Sequence, residues 1–228
     1  MDFKPRVGSA TAAVPSQSVA DASAHSHGNI RVSNALKEFL SLIDDIPGGR
    51  VLDLGPAWQS TISFLIERGF NFATEDLLRS WREFVTTEEE RMRKAPVGEQ
   101  AEKVSQAILA DKFLRESLNS AEGTYCGVLL WDLLDYFDAE LVPRLITRLF
   151  KVLQPNGAIL ALFHGHTPAR FHRYRILDIQ TIEMVPAPTL AVHAHSFQNR
   201  EILDKFGEFR SSKTFVGRDH VREGLFLK

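Results

Sequence analysis

The chain has 228 residues and a formal net charge of −2, with 44% hydrophobic and 25% charged residues. That length suits one substantial domain, and the composition is the globular average, which excludes wholesale disorder. The charge lacks the basic excess that polyanion binding needs, which argues against nucleic acid as a partner.

A lone cysteine, Cys126, excludes an internal disulfide framework and fits a reducing compartment. No apolar run reaches the length of a membrane span, and the N-terminus lacks the basic-then-apolar pattern of a secretion signal. A cytoplasmic protein with no membrane partner is expected.

Residues 1–28 are rich in Ser, Ala and small polar residues with no apolar period. Such a segment cannot bury enough surface to offset its ordering entropy, so a disordered tail is predicted there. Residues 29–228 then form one domain. Leu36, Phe39, Leu40 and Ile43 recur at helical spacing behind a cap at Ser33 or Asn34. Pro47-Gly48-Gly49 breaks the chain before a first strand at 50–54, and Ile62, Phe64, Leu65 and Ile66 mark a helix ended by Gly69. A second strand is predicted at 70–75. Residues 78–117 are charged and helix-prone, broken at Pro96-Val97-Gly98; they read as a helical insertion in which no third strand can be placed.

The run GVLLW at 127–131 suits a strand buried on both faces. Leu145, Ile146, Leu149, Phe150 and Leu153 give an amphipathic helix, and Pro155-Asn156-Gly157 turns it into another buried strand at 158–163. A short helix at 201–206 starts near Ser196 or Asn199. Strands near 213–216 and 224–227 are joined by too few residues for a helical crossover, so they pair antiparallel. The pattern defines an α/β fold: a doubly wound, mostly parallel sheet closed by an antiparallel hairpin, with helices on both faces.

Four segments carry a family resemblance: VLDLG (51–55), ERGFNFATEDL (67–77), GTYCGVLLWDLLDYF (123–137) and LFKVLQPNGAILALF (149–163). In this order, and with the closing hairpin, they resemble the class I S-adenosylmethionine-dependent methyltransferases, whose sheet is of the seven-stranded type. The likeness spans most of residues 32–228. It implies S-adenosylmethionine as cofactor and methyl transfer to a small-molecule or protein acceptor that the sequence does not name.

Ligands of doubly wound sheets bind outside the carboxyl ends of the strands. Gly55 lets backbone approach a ligand there, and Asp53 is placed to orient the loop. The resemblance sets this loop against the methionine part of the cofactor, which bears a sulfonium and no phosphates; Pro56 and Ala57 in place of further glycines are therefore tolerated. The ring of Trp58 threatens to fill the pocket. A carboxylate about twenty residues on should accept both ribose hydroxyls. Distance from Gly55 points to Glu75, and alignment on Gly69 points to Asp76, which is preferred. Trp131 is placed to wall the ligand or to belong to the core, and Asp132 to accept a hydrogen bond from substrate or cofactor ammonium. Cys126 replaces the acidic residue usual early in this strand.

His164, His166, His172, His193 and His195 cluster late in the chain. The spacing of HGH and HAH puts each pair on one face of an extended chain, but it matches no fixed metal spacing and no metal is predicted. His164 leaves the sheet at its ligand-binding end and is the base candidate, with Asp132 the other catalytic candidate. In ARFHRYR, Arg170, Arg173 and Arg175 alternate with aromatic residues, the pattern of an amphipathic edge strand or of contacts to an acidic small molecule. Two competing readings are a protein of this fold that binds or scaffolds without turnover, motivated by the depleted loop GPAWQS, and a nicotinamide-dependent oxidoreductase, disfavoured by the lack of G-x-G-x-x-G.

Overall fold

Strands and helices alternate along the chain where the apolar periods change. A computed structural model describes residues 29–46, 48–94, 105–217 and 219–228; the tail at 1–28 and the break at 96–98 lie outside them. In order come β1 (Asn29–Val32), α1 (Asn34–Ile43), β2 (Arg50–Asp53), α2 (Gln59–Glu67), β3 (Asn71–Thr74), α3 (Leu77–Lys94) and α4 (Gln106–Ser117). Then follow β4 (Tyr125–Trp131), a 3-10 turn (Leu133–Tyr136), α5 (Leu141–Val152), β5 (Leu153–His164), β6 (His172–Asp178), β7 (Thr181–Pro186), α6 (Asn199–Lys205), β8 (Ser211–Val216) and β9 (Val221–Leu227).

The main sheet has the order β3-β2-β4-β5-β9-β8. The first four strands are parallel; β9 runs antiparallel to both β5 and β8. All seven residues of β4 are buried, as a central strand covered on both faces requires. At Gly127 a Cβ would stand 2.6 Å from the Phe39 ring, so the glycine admits the helix α1 that covers this face. α1 is held at its start by the Ser33 hydroxyl, which accepts from the Leu36 N–H at 3.0 Å. Gly69, at φ +88°, ends α2.

The predicted α/β class and closing hairpin are present. The main sheet has six strands among the described residues, one fewer than the seven-stranded type. After β3 the chain goes into α3 and α4, and their apolar residues Leu77, Leu78, Leu109, Ala110, Phe113 and Leu114 are buried against the face opposite α1.

A second sheet, order β1-β7-β6 and antiparallel throughout, was not legible in the sequence. Its inward residues Tyr174, Ile176, Ile182 and Met184 join the core under α1 and α2. β6 forms an edge of this sheet, and its Ile176 N–H donates to the Thr61 hydroxyl of α2 at 2.9 Å. At the other edge, Arg31 of β1 donates to Glu223 of β9 at 2.8 Å, while the second carboxylate oxygen accepts the Ala35 N–H at 2.9 Å. Both side chains are buried, so one carboxylate joins the two sheets and the start of α1. Breaking a buried pair is costly, here because Arg31 Nη2 and the Ala35 N–H lose their acceptor while only Nη1 keeps Asp219 at 3.1 Å. Glu223→Ala should lower unfolding stability by about 3 kcal/mol in urea titrations; a loss within about 0.5 kcal/mol, the surface-substitution range, would show that this junction holds nothing together.

Candidate functional site

The order of the main sheet reverses between β2 and β4, because β3 lies outside one and β5 outside the other. In open α/β sheets that reversal leaves a crevice at the carboxyl ends of the strands. Gly55 follows β2 there, and Trp131 closes β4. A cleft at this point is lined by Gly55, Pro56, Asp76, Trp131, Asp132, Phe171, Arg173 and Tyr174, among others.

Trp131 dominates the cleft. Its backbone takes φ +53°, a left-handed conformation that costs a bulky L-residue about 1–2 kcal/mol. The turn folds the indole back over Gly55, where a Cβ would stand 3.0 Å from both Cδ1 and Nε1. Nε1–H donates to Asp53 Oδ1 at 2.6 Å, and the same oxygen accepts the Gly55 N–H at 2.9 Å. The indole stacks on the Tyr174 ring, centroids 5.5 Å apart and planes 10° from parallel. Asp53 is wholly buried and its Oδ2 has no partner. Burial pushes its carboxyl up from 3.8 to about 7, against the lowering hydrogen bonds of Trp131 and Gly55.

Behind the cleft lies a polar cluster. Asp132 Oδ2 accepts the Tyr174 hydroxyl at 2.8 Å and stands 3.0 Å from His164 Nε2. The backbone N–H of His164 donates to Asp135 Oδ2 at 2.7 Å. Asp135 Oδ1 and the Tyr136 hydroxyl are buried without partners. Burial raises the Asp135 carboxyl to about 8 and the Tyr174 and Tyr136 hydroxyls well above their ordinary value, while it depresses the His172 and His193 imidazoles. Residues 193–195 pass over this cluster, with the Ala194 and His195 N–H groups donating to the Asp135 carbonyl at 2.7 and 3.2 Å.

The structure sorts the predicted site residues. Gly55, Pro56, Asp76, Trp131 and Asp132 meet on the cleft, with Asp53 beneath Gly55. Ala57 is exposed and stands apart from it. Glu75 also stands apart, accepting from the Ser80 hydroxyl at 2.5 Å. Of the two acidic candidates, only Asp76 faces the cleft. The ring over the loop glycine belongs to Trp131 and not to Trp58, whose ring faces Arg175 of β6 at 5.4 Å. Cys126 is buried beside Gly49, and burial raises its thiol to about 11, leaving it inert.

The histidine pairs do not act as pairs. His164 is buried beside Asp132, whereas His166 is exposed against the ring of His220 at 5.5 Å. His193 tucks toward Asp135 at 3.8 Å, and His195 lies outside near Glu201 at 3.4 Å. Among the described residues no group of three or more His, Cys, Asp or Glu is placed to hold a metal ion. Tyr174, Tyr136 and Asp135 were missed as site residues; the period-two alternation of FHRYR was the one signal for Tyr174.

The cleft suits a cofactor in its chemistry and not in its volume. The groups present suit the expected nucleoside: a glycine for close approach, an accepting carboxylate at Asp76, and the orphaned Oδ2 of Asp53. The room does not, because the cleft encloses about 20 Å³, enough for about one water, against the roughly 300–1,000 Å³ of ligand pockets. Trp131 and Arg173 stand among its walls.

The sequence matches no protein-family model and no curated protein sequence. In structure the chain is similar to S-adenosylmethionine-dependent methyltransferases. It is 15% identical to the 1,6-didemethyltoxoflavin-N1-methyltransferase of Burkholderia thailandensis, solved with its substrate and S-adenosylhomocysteine, over 86% of this chain and 79% of that one at TM-score 0.45. It is 17% identical to a methyltransferase of Methanosarcina mazei over 78% and 90% at TM-score 0.38. It is 10% identical to the glycopeptide N-methyltransferase MtfA, solved with S-adenosylmethionine, over 85% and 94% at TM-score 0.37. No helix among the described residues is long and apolar enough to cross a membrane.

The Asp53 proton has a thermodynamic signature. The folded carboxyl keeps its proton to about pH 7 and the unfolded one releases it near 3.8, so its contribution to stability falls as pH rises between those values. Asp53→Asn keeps an acceptor for Trp131 and cannot ionise. Its stability relative to the parent should therefore climb from pH 4 to pH 7, by at most about 1.4 kcal/mol per pH unit, in denaturant titrations. A difference that is flat with pH would mean that Asp53 is charged throughout.

Proposed function

We propose that the protein binds S-adenosylmethionine at the cleft between β2 and β4 and transfers its methyl group to an acceptor. The observation that carries this reading is the meeting of Gly55 and Asp76 on one crevice at the strand-order reversal. Asp76 offers two oxygens to the ribose hydroxyls, Gly55 the close backbone approach, and Asp53 Oδ2 a buried polar atom with no competing partner, a donor while the carboxyl holds its proton. The bound cofactor supplies a methyl group already activated by the sulfonium. What remains for the chain is to position the acceptor and exclude water, the larger part of the acceleration in such a transfer.

Asp132 and His164 are the catalytic candidates. Asp132 lines the cleft and His164 stands 3.0 Å behind it, so a proton given up by an acceptor hydroxyl or amine passes to a buried, hydrogen-bonded carboxylate–imidazole pair. Tyr174 orients that carboxylate by donating to it. For the cofactor to enter, the Trp131 indole leaves Gly55 and Arg173 leaves Asp76. The lone, buried cysteine suits work in the cytoplasm.

The filled cleft favours a second reading, a protein of this fold that binds or scaffolds without turnover. Calorimetric titration with S-adenosylmethionine and S-adenosylhomocysteine separates the two. Micromolar binding is expected, and Asp76→Ala should weaken it by about 2 kcal/mol, the worth of hydrogen bonds to a charged group. Silence at millimolar ligand, with the parent chain folded, would establish the second reading.

A further inference from the structure

The mouth of the cleft carries arginines that methyl transfer by itself does not need. Between α3 and the loop at Leu190 lies a groove of about 420 Å³ lined by Arg79, Arg82, Glu83, Thr86, Thr87 and Leu190. Leu190 also lines the inner cleft beside Arg173, so the two spaces adjoin. From this arrangement we infer that the acceptor is a small molecule carrying a carboxylate or phosphate, received by Arg82, Arg79 and Arg173. The inference rests on the methyltransferase reading for the word acceptor; the anion site itself stands on the geometry.

Arg173 projects from the edge strand β6 to within 3.7 Å of Asp76, and Arg79 reaches the same carboxylate at 3.4 Å. Both distances exceed the roughly 2.7–2.9 Å of a charge-assisted hydrogen bond, so neither guanidinium is committed there. The Nε of Arg173 is buried with no partner at all, a donor that a native fold seldom leaves idle. Arg82 makes no ion pair among the described residues. Three guanidinium groups thus face the carboxylates of Asp76, Glu83 and Asp132, and Asp132 is already engaged by Tyr174 and His164, so the uncommitted donors of the two spaces are Arg82 and the Nε of Arg173.

The other polar groups of the groove do not compete. The Thr86 and Thr87 hydroxyls donate to the carbonyls of Arg82 and Glu83, at 2.9 Å each, and are left with acceptor lone pairs only. Arginine forks are therefore the groove's donors, and their planar geometry matches a carboxylate or phosphate. Part of the inner wall is apolar, built from Leu133, Phe171 and Leu190, which suits the body of an acceptor whose charged end stays at the mouth. When ribose hydroxyls occupy Asp76, Arg173 loses its weak pair and turns to the acceptor. The neighbouring arginines of β6 take no part, since Arg175 is bound to Glu183 at 2.6 Å and Arg170 is exposed.

The test is titration of the full chain with inorganic phosphate and with benzoate at fixed ionic strength, read by calorimetry. Saturable binding is expected, weakened about tenfold in Arg82→Gln and in Arg173→Gln, the loss of one charge-assisted hydrogen bond. Whichever probe binds tighter names the anion. Arg82 is exposed, so its variant should melt with the parent, and Arg115→Gln, in the separate groove between α4 and α5, should bind as the parent does. Equal affinity in parent, Arg82→Gln and Arg173→Gln, or no saturation at about tenfold above the millimolar range, overturns the inference whatever S-adenosylhomocysteine does. Binding of phosphate without binding of S-adenosylhomocysteine instead overturns the methyltransferase reading and leaves the anion site in place.

Discussion

The hydrogen bond from the Trp131 indole to the buried Asp53 carboxylate sets the geometry of everything around it. To make it, Trp131 adopts a left-handed backbone at the end of the central strand, and position 55 must lack a Cβ. The ring then offers a flat face on which Tyr174 stacks, and Tyr174 brings the edge strand β6 with it. A short contact at one strand end therefore decides how the inserted sheet sits over the crevice. The strain at Trp131 and the orphaned Oδ2 of Asp53 are local violations of the rules that hold elsewhere in the core, and such violations concentrate at functional sites.

A chain of buried polar groups extends from that contact. Tyr174 donates to Asp132, Asp132 meets His164, and the His164 backbone donates to Asp135. Low dielectric strengthens each bond and penalises each unpaired oxygen, which is why burial dominates the titration of Asp53, Asp135 and Tyr174 alike. The cluster lies under residues 193–195, out of water, whereas the arginines lie at the mouth. Buried carboxyl, imidazole and phenol groups are thus inside and guanidinium groups outside.

The central strands of the main sheet were legible because they are buried on both faces and read as apolar runs, GVLLW and AILALF unbroken and VLDL interrupted by Asp53 alone. The second sheet was not. β1 has four residues, of which only Arg31 is buried, and β6 mixes His, Arg and Tyr with a single inward aliphatic, Ile176. Strands with one wet face and short length leave little period to detect. The choice between Glu75 and Asp76 was likewise open in one dimension: adjacent acids differ only in which way the chain turns after β3, and α3 turns Asp76 to the cleft. HGH and HAH put each pair on one face only if the chain is extended; Gly165 and Ala194 sit in a bend and a loop, and each pair divides between interior and surface.

By itself, the sequence determined the α/β class, the helices α1, α2 and α5, the closing hairpin and the glycine at the end of β2, because each follows from local apolar period, turn chemistry or chain length between elements. Only the tertiary structure decided which side chains share the crevice. Trp131 over Gly55, Arg173 beside Asp76 and Tyr174 on Asp132 join residues 40 to 100 positions apart, and no local propensity encodes the packing of one sheet on another that brings them together.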